Sequence, residues 1–249
     1  MKPAIDNFSA LADLYAKFRP VYPDTLYEFL RDRVPATDAA WDCGTGNGQV
    51  ASHLASFFRH VTATDISRRQ LDAAPHLDNI TYLECRAEHT PFVDNSFDLI
   101  TVGQAIHWFD FDTFYAEAKR VARNGALLAA WAYNVCRIDP ETDLIINHFY
   151  ENIVGPYWDK ERQYVTDLYQ TIPFPFEEID TPEFHITTRW TLSHLEGYLS
   201  SWSSVDHYRK AKGEDPLELV AGALRDAWQA DVEKEVVFPV FMRAGIIRK

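Results

Sequence analysis

The chain has 249 residues, 47% of them hydrophobic, and a formal net charge of −13. That length suits one α/β domain with room for a small second subdomain. The acidic balance argues against non-specific nucleic-acid binding, which needs Lys and Arg to displace counterions. Cys43, Cys85 and Cys136 are widely spaced and odd in number, so they read as reduced thiols of a cytoplasmic protein rather than a disulfide framework. No charged start with an apolar stretch and cleavage site is seen. The longest apolar run, residues 126–133, is too short to span a bilayer, so no membrane partner is expected.

In chain order, Phe8, Leu11, Leu14, Tyr15 and Phe18 share one helical face, and Pro20 ends that helix. A second helix is predicted over 23–33, with Leu26, Phe29 and Leu30 inward, and a first strand over 39–42. Then comes Asp42-Cys43-Gly44-Thr45-Gly46-Asn47-Gly48, with glycine at every second position. Glycine is favoured where the backbone takes positive φ or approaches a ligand closely. Val50, Leu54, Phe57 and Phe58 follow at helical spacing. Strand, glycine turn and helix form the opening βα unit of a doubly wound sheet, whose ligand sits outside the strands' carboxyl ends.

The spacing narrows the ligand. In the dinucleotide fingerprint the third glycine comes one residue later, and one residue is about 100° around a helix. Gly48 therefore cannot make the same helix–strand contact. No P-loop pattern occurs. The run 60–65 reads as the second strand and ends in Asp65, 23 residues after Asp42. A carboxylate there can accept from both hydroxyls of an adenosyl ribose. Ser67-x-x-Gln70 has capping-box form, which leaves Asp65 and Ile66 in the loop before a helix.

Residues 80–85 are the predicted third strand, and 86–96 a crossover with little helix pattern. Residues 97–103 are a fourth strand apolar enough for burial on both faces. They lead to Gln104, His107 and Trp108. Asp112 is expected to cap a helix over 113–122, stopped by Asn124-Gly125, before a fifth strand over 126–133 that carries Trp131 and Tyr133. Residues 136–183 break this rhythm. Leu144, Ile145, Phe149 and Ile153 suggest an amphipathic helix stopped by Gly155-Pro156, and an aromatic-rich stretch follows. Such an insertion reads as a lid over a substrate pocket. A strand over 184–190, helices over 192–202 and 217–232 separated by a loop at 210–216, and a last strand over 235–247 complete the chain. Pro239 marks an edge or bulge in that strand. The expected fold is α/β, a Rossmann-like doubly wound sheet of seven strands, mostly parallel with the last antiparallel. It is one domain overall, in three stretches: 1–135, the lid 136–183, and 184–249.

The glycine motif followed by Asp65 resembles the signature of class I S-adenosylmethionine-dependent methyltransferases, and more closely the type 11 methyltransferase domain. Ala87-Glu88-His89-Thr90-Pro91-Phe92-Val93-Asp94-Asn95-Ser96-Phe97-Asp98 is similar to that family's A-E-x-L-P-F-x-D-x-S-F-D. Tyr15, Arg19-Pro20 and Tyr22-Pro23 fit the Y-x-x-x-R-P-x-Y-P opening of its small-molecule branch, which includes trans-aconitate methyltransferase-like proteins. The resemblance covers roughly residues 8–135. It implies S-adenosylmethionine as cofactor, S-adenosylhomocysteine as product, and a small-molecule acceptor such as a carboxylic acid.

By the same resemblance, Tyr15 packs on the cofactor and Arg19 meets its carboxylate. Asp42 orients the loop formed by Gly44, Gly46 and Gly48 and binds the amino group. Asp65 takes the ribose, Ile66 walls the adenine, Ala87 and Glu88 edge it, and Gln104 closes the rim. Trp108, Trp131, Tyr133 and Arg137 are candidates for the acceptor pocket and His107 for a base. Purely structural roles stay open for Asp42 as a brace and for His107 and Trp108 as packing residues. The chain departs from the family at Cys85-Arg86-Ala87-Glu88, where the family commonly has G-D-A-E, so Arg86 replaces an acid. Cys and His lack zinc spacing, so no metal is expected. The alternatives are a nicotinamide-dependent oxidoreductase and a non-catalytic adenosyl-binding module, and monomer or dimer is left open.

Overall fold

The computed structural model describes residues 18–229 and 232–249. The helix expected over 8–18, with Tyr15, lies outside them apart from Phe18. Helix α1 (Asp24–Arg31) buries Leu26, Tyr27, Phe29 and Leu30, the apolar face its spacing predicts. Strand β1 (Ala39–Cys43), helix α2 (Gln49–Leu54), β2 (His60–Asp65), α3 (Arg68–Asp72), β3 (Ile80–Glu84) and β4 (Phe97–Gly103) follow, then α4 (Phe111–Val121) and β5 (Ala122–Tyr133).

The sheet runs β3-β2-β1-β4-β5 and continues with β8 (Lys234–Ile247) and β6 (Glu177–Ile179), while β7 (Phe184–Trp190) also pairs with β8. Strands β1 to β5 pair parallel. Strand β8 is antiparallel to β5 and also to β6 and β7. Seven positions are thus filled by eight strands. The fourteen-residue β8 carries β6 against residues 244–246 and β7 against residues 234–240 of the same edge. The last strand is antiparallel, as expected. The count of seven is corrected because two short strands share the outermost position end to end.

Period-two alternation sends β5 into two cores. Leu127, Ala129, Trp131 and Tyr133 enter the larger one, with α1 and α2; Ala126, Leu128, Ala130 and Ala132 enter the other, with Phe114 and Ala118 of α4. Strand order reverses between β1 and β4, and at such a switch point the loops after both strands part to leave a crevice.

Several boundaries differ from the sequence reading. Asp110, not Asp112, caps α4: its carboxylate accepts from the Thr113 amide at 3.3 Å and the Thr113 hydroxyl at 2.8 Å. Asn124-Gly125 does not stop α4. The chain turns straight into β5 at Ala122, and between the pairs Phe97–Ala122 and Leu99–Leu127 a bulge holds Gly125 at φ 84°. Helix α5 (Pro140–His148) leaves Leu144 72% exposed and buries Thr142, Ile146 and, in the π-turn Phe149–Ile153, Phe149. Short 3₁₀ turns and α6 (Arg162–Thr166) fill the rest before β6. Helix α7 (Leu192–Ser200) is as expected, but α8 (Ser203–Lys212) occupies much of what reads as connection. The predicted helix over 217–232 is a 3₁₀ turn (Pro216–Leu219) followed by α9 (Ala221–Trp228). Pro239 pairs only with His185 of β7. On its other side, β5 pairing ends at Val240 and resumes as a lone Arg137–Val237 bridge.

Candidate active site

The loop after β1 is shaped by its three glycines, all at positive φ (69°, 56° and 78°). A Cβ on Gly44 would stand 2.6 Å from the Ala105 Cβ in the loop after β4, so glycine lets the two switch-point loops touch. Gly48 is the N-cap of α2, and its Cα faces the Tyr82 ring and Ala74. It does not line the cleft; its place is a packing one, against β3 and the end of α3.

Asp42 lies under this loop, 1% exposed. Its Oδ2 accepts from the Ala51 amide at 3.1 Å and from the Thr45 hydroxyl, and its Oδ1 accepts from the Thr101 hydroxyl at 2.8 Å. Burial pushes its carboxyl up to about 6, against the opposing pull of these hydrogen bonds. The carboxylate braces the loop and α2 from beneath and does not line the cleft. The Thr45 amide donates to the Thr64 carbonyl and so ties the loop to β2.

The cleft itself, at the strands' carboxyl ends, is walled by Gly44, Gly46, Asp65, Ile66, Ala87, Glu88 and Gln104 together with Arg19, Trp108 and Tyr133. Asp65 accepts from the Gly46 amide (Oδ2, 2.9 Å) and the Ser67 amide (Oδ1, 2.9 Å). These two backbone donors fix the carboxylate at the tip of β2, where Asp65 lines the cleft. Ser67 caps α3 by accepting from the Gln70 amide, as the S-x-x-Q pattern predicts. Ile66 keeps 37% exposure beside it, an apolar wall rather than a core residue.

Arg86, the departure from the family pattern, ion-pairs with Glu88 (Nε to Oε2, 3.3 Å), and Glu88 Oε1 also accepts from the Asp110 amide. Both side chains line the cleft. Cys85 lines the same end, and burial raises its thiol to about 11, so it stays protonated. Cys43 is buried and its thiol is raised by burial too.

At the opposite end, Gln104 sits at φ 55°, a conformation rare for a residue with a Cβ. It is held by its own amide donating to the Trp131 carbonyl (2.8 Å) and by Nε2 donating to the Tyr133 carbonyl (3.1 Å). Arg19 donates from Nη1 to the Tyr133 hydroxyl at 3.1 Å. Beyond this wall a second, narrower chamber opens; it shares Arg19, Gln104, Trp108 and Tyr133 with the cleft and adds His107, Trp158, Asp159, Arg162, Tyr198 and Trp202 among others. His107 is 5% exposed, and its Nδ1 lies 2.9 Å from the Tyr169 hydroxyl.

Two residues expected at the acceptor pocket are also elsewhere. Trp131 is fully buried, edge-on to Tyr22 and under Gly103, because its position in β5 points into the larger core. Arg137 pairs by its backbone with Val237 and lines a separate groove with Asp143 and His185. Arg162 and Trp202 escaped the sequence reading, and Trp158 entered it only as one aromatic of the stretch read as a lid. They lie in irregular or short segments with no motif, and only their aromatic-rich neighbourhood marks them.

Residues 41–130 match the family model for a methyltransferase domain, type 11. A Dictyostelium discoideum protein named as a methyltransferase is 34% identical over 95% of this chain and 93% of its own length. This chain belongs to the methyltransferase family. A type II methyltransferase structure from Anaeromyxobacter dehalogenans is 41% identical, with a TM-score of 0.86 over 93% of this methyltransferase and 99% of that chain. A phosphoethanolamine N-methyltransferase of Haemonchus contortus, solved with S-adenosylhomocysteine, shares the fold at 17% identity and a TM-score of 0.50, over 97% of this methyltransferase and 58% of that chain. S-adenosylmethionine is the cofactor of the methyltransferase, and the residues present fit it: an anchored carboxylate beside a partly exposed isoleucine, next to a loop whose positive φ angles favour glycine. Among the described residues no group of His, Cys, Asp and Glu is arranged to hold a metal, and no helix is long and apolar enough to cross a membrane.

Proposed function

We propose that this methyltransferase acts on a small-molecule acceptor, with O-methylation of a carboxylic acid, as in the trans-aconitate-like branch, as its reaction. The supporting observation is the second chamber, which shares one wall with the cofactor cleft and is lined by aromatic side chains and Arg162, the mix of apolar walls and a few polar groups typical of small-molecule sites. In this reading, residues 136–183 are the lid that closes the chamber. Asp65 holds the ribose hydroxyls, Ile66 and the Ala87 amide frame the adenine, Glu88 acts through Arg86, and Gly44 and Gly46 let the backbone approach. Arg19 and Gln104 meet the methionine end, and Tyr15 would cover the cleft.

The cofactor supplies an activated methyl group and its leaving group. The chain's part is to align the acceptor at the wall formed by Gln104, Trp108 and Tyr133, and to exclude water there. A carboxylate is already deprotonated at neutral pH and needs no base. His107 would then orient or pack. Its place in the chamber favours a second reading, an alcohol or amine acceptor with His107 as base.

Calorimetric titration with S-adenosylhomocysteine tests the cofactor seat: Asp65→Ala should weaken binding by more than about tenfold, which is about 1.4 kcal/mol. Unchanged affinity would remove Asp65 from the site. A screen of carboxylic acids with labelled methyl donor follows. His107→Ala should keep its rate within about tenfold on a carboxylate. A loss of about 10²–10⁴ would mark an acceptor that must give up a proton.

A further inference from the structure

We infer that Arg162 is the anchor for an anionic group on the acceptor, at the end of the molecule away from the atom methylated, and that the chamber takes a flat, unsaturated or aromatic body between the two. This rests on the reading of the second chamber as the acceptor site. Arg162 lines that chamber but not the cofactor cleft. It is rigidly held: Nε donates to the Tyr150 hydroxyl at 3.1 Å, Nη2 to Asn134 Oδ1 at 3.3 Å, and its guanidinium lies 4.9 Å from the centre of the Trp158 ring.

A guanidinium has five N–H donors, so those on Nη1 remain. No carboxylate lies within ion-pair distance of Arg162 among the described residues. By contrast, Arg120 meets Glu117 and Asp94, Arg123 meets Asp98, and Arg243 meets Glu178. In a chain with 37 acidic residues against 24 Lys and Arg, a half-buried arginine tied only to neutral groups keeps its charge available for a ligand.

The other charges at the chamber do not cancel it. Asp159 is turned to His207, with Oδ2 4.0 Å from Nδ1, and Arg19 is shared with the cofactor cleft through Tyr133. Two guanidiniums face one carboxylate. The walls are aromatic: Trp158 and Trp202 centroids are 5.5 Å apart, and Tyr198 meets Trp202 edge-on at 5.7 Å. Such walls favour a π-bearing ligand over a globular or heavily hydrated one. Because the reacting atom must reach the shared wall, and Arg162 lines the chamber but is not part of that wall, the group it holds is not the one that receives the methyl.

The test is calorimetry on protein saturated with S-adenosylhomocysteine, using trans-cinnamate against trans-cinnamamide and fumarate against fumaramide. In at least one pair the acid should bind about tenfold or more tighter than its amide, equal to about 1.4 kcal/mol. Arg162→Gln should bring acid and amide within about twofold, and Arg162→Lys should keep part of the preference, with S-adenosylhomocysteine affinity unchanged in both. No acid preference in the wild type, or an undiminished one in Arg162→Gln, overturns the proposal. If Arg162→Gln fails to fold, Arg162→Lys decides it: an undiminished preference there sinks the bidentate anchor. Since the readout is binding, an acid held by Arg162 but never methylated would fail the carboxylate O-methylation reading alone. A methyl ester formed with unchanged KM in Arg162→Gln would fail this inference alone.

Discussion

At the scale of single residues, the loop after β1 was legible because its backbone depends on residue type. A turn at positive φ favours glycine, and a helix start favours a capping serine, as at Ser67, and both leave fixed spacings in the sequence. Asp42 shows where such reading stops: the carboxylate was expected in contact with a ligand as well as bracing the loop, and its three hydrogen bonds all go to Thr45, Ala51 and Thr101 beneath the cleft. That burial gives a signed pH effect. With a carboxyl raised to about 6 in the fold, the folded state holds its proton more tightly than the unfolded chain does, where the value is near 4. The group therefore favours folding most below about pH 4, and that contribution is lost as pH rises through about 6. Urea unfolding of wild type and Asp42→Asn at several pH values checks this. The stability difference in favour of wild type should shrink between about pH 4 and 6 and then level off. A constant difference would mean that the carboxyl titrates normally.

At the scale of elements, long periodic segments read well from sequence: α1, β2, β4 and β7 fall where their patterns put them. What failed lacked an apolar stripe or had two competing signals. Helix α8 buries only Val205 among its apolar side chains, with Ser203 and Ser204, so no periodicity announces it. At the start of α4, Asp110 and Asp112 both look like caps, and only the Thr113 contacts choose between them. The second chamber was hard to read for the same reason, since Trp158, Arg162 and Trp202 converge on it from separate turns and short helices. Helix α4 also governs the crossover that carries Arg86, Ala87 and Glu88. Glu117 Oε1 accepts from the Thr90 amide at 2.8 Å and from its hydroxyl, and Arg120 donates to the Phe92 carbonyl at 2.7 Å and to both Glu117 and Asp94. Although burial opposes it, these donors hold the Glu117 carboxyl down at about 2. Its stabilisation is thus present above the ordinary carboxylate range and lost as pH falls through about 2. Glu117→Gln should cost about 1–3 kcal/mol at pH 7 in chemical unfolding, and the deficit should narrow as the pH is taken below about 4. A deficit independent of pH would point to lost packing instead.

At the scale of the whole molecule, the 136–183 stretch proposed as a lid and the strands around the glycine loop share one core. The larger core joins Tyr22, Leu26 and Leu54 from one end of the chain to Phe149 and Val154 of the 136–183 stretch and to Trp190, Trp228 and Phe238 near the other end. Strand β8 adds the antiparallel seam to β5 through eight paired residues, from Ala126–Ile247 to Tyr133–Val240. Removing any one of these segments would uncover apolar surface on the others, and that surface is what makes unfolding cooperative. The chain should therefore melt in one transition, with near-ultraviolet signals from the lid tryptophan Trp158 coinciding with far-ultraviolet loss of the sheet. A ligand that binds only the folded form adds RT ln(1 + [L]/Kd), so S-adenosylhomocysteine at a hundred times its Kd should raise the unfolding free energy by about 2.7 kcal/mol. Both probes should shift together. A lid transition that precedes the sheet and ignores the ligand would show that residues 136–183 fold as a unit of their own. The chamber would then be assembled by docking of the lid rather than built into the domain.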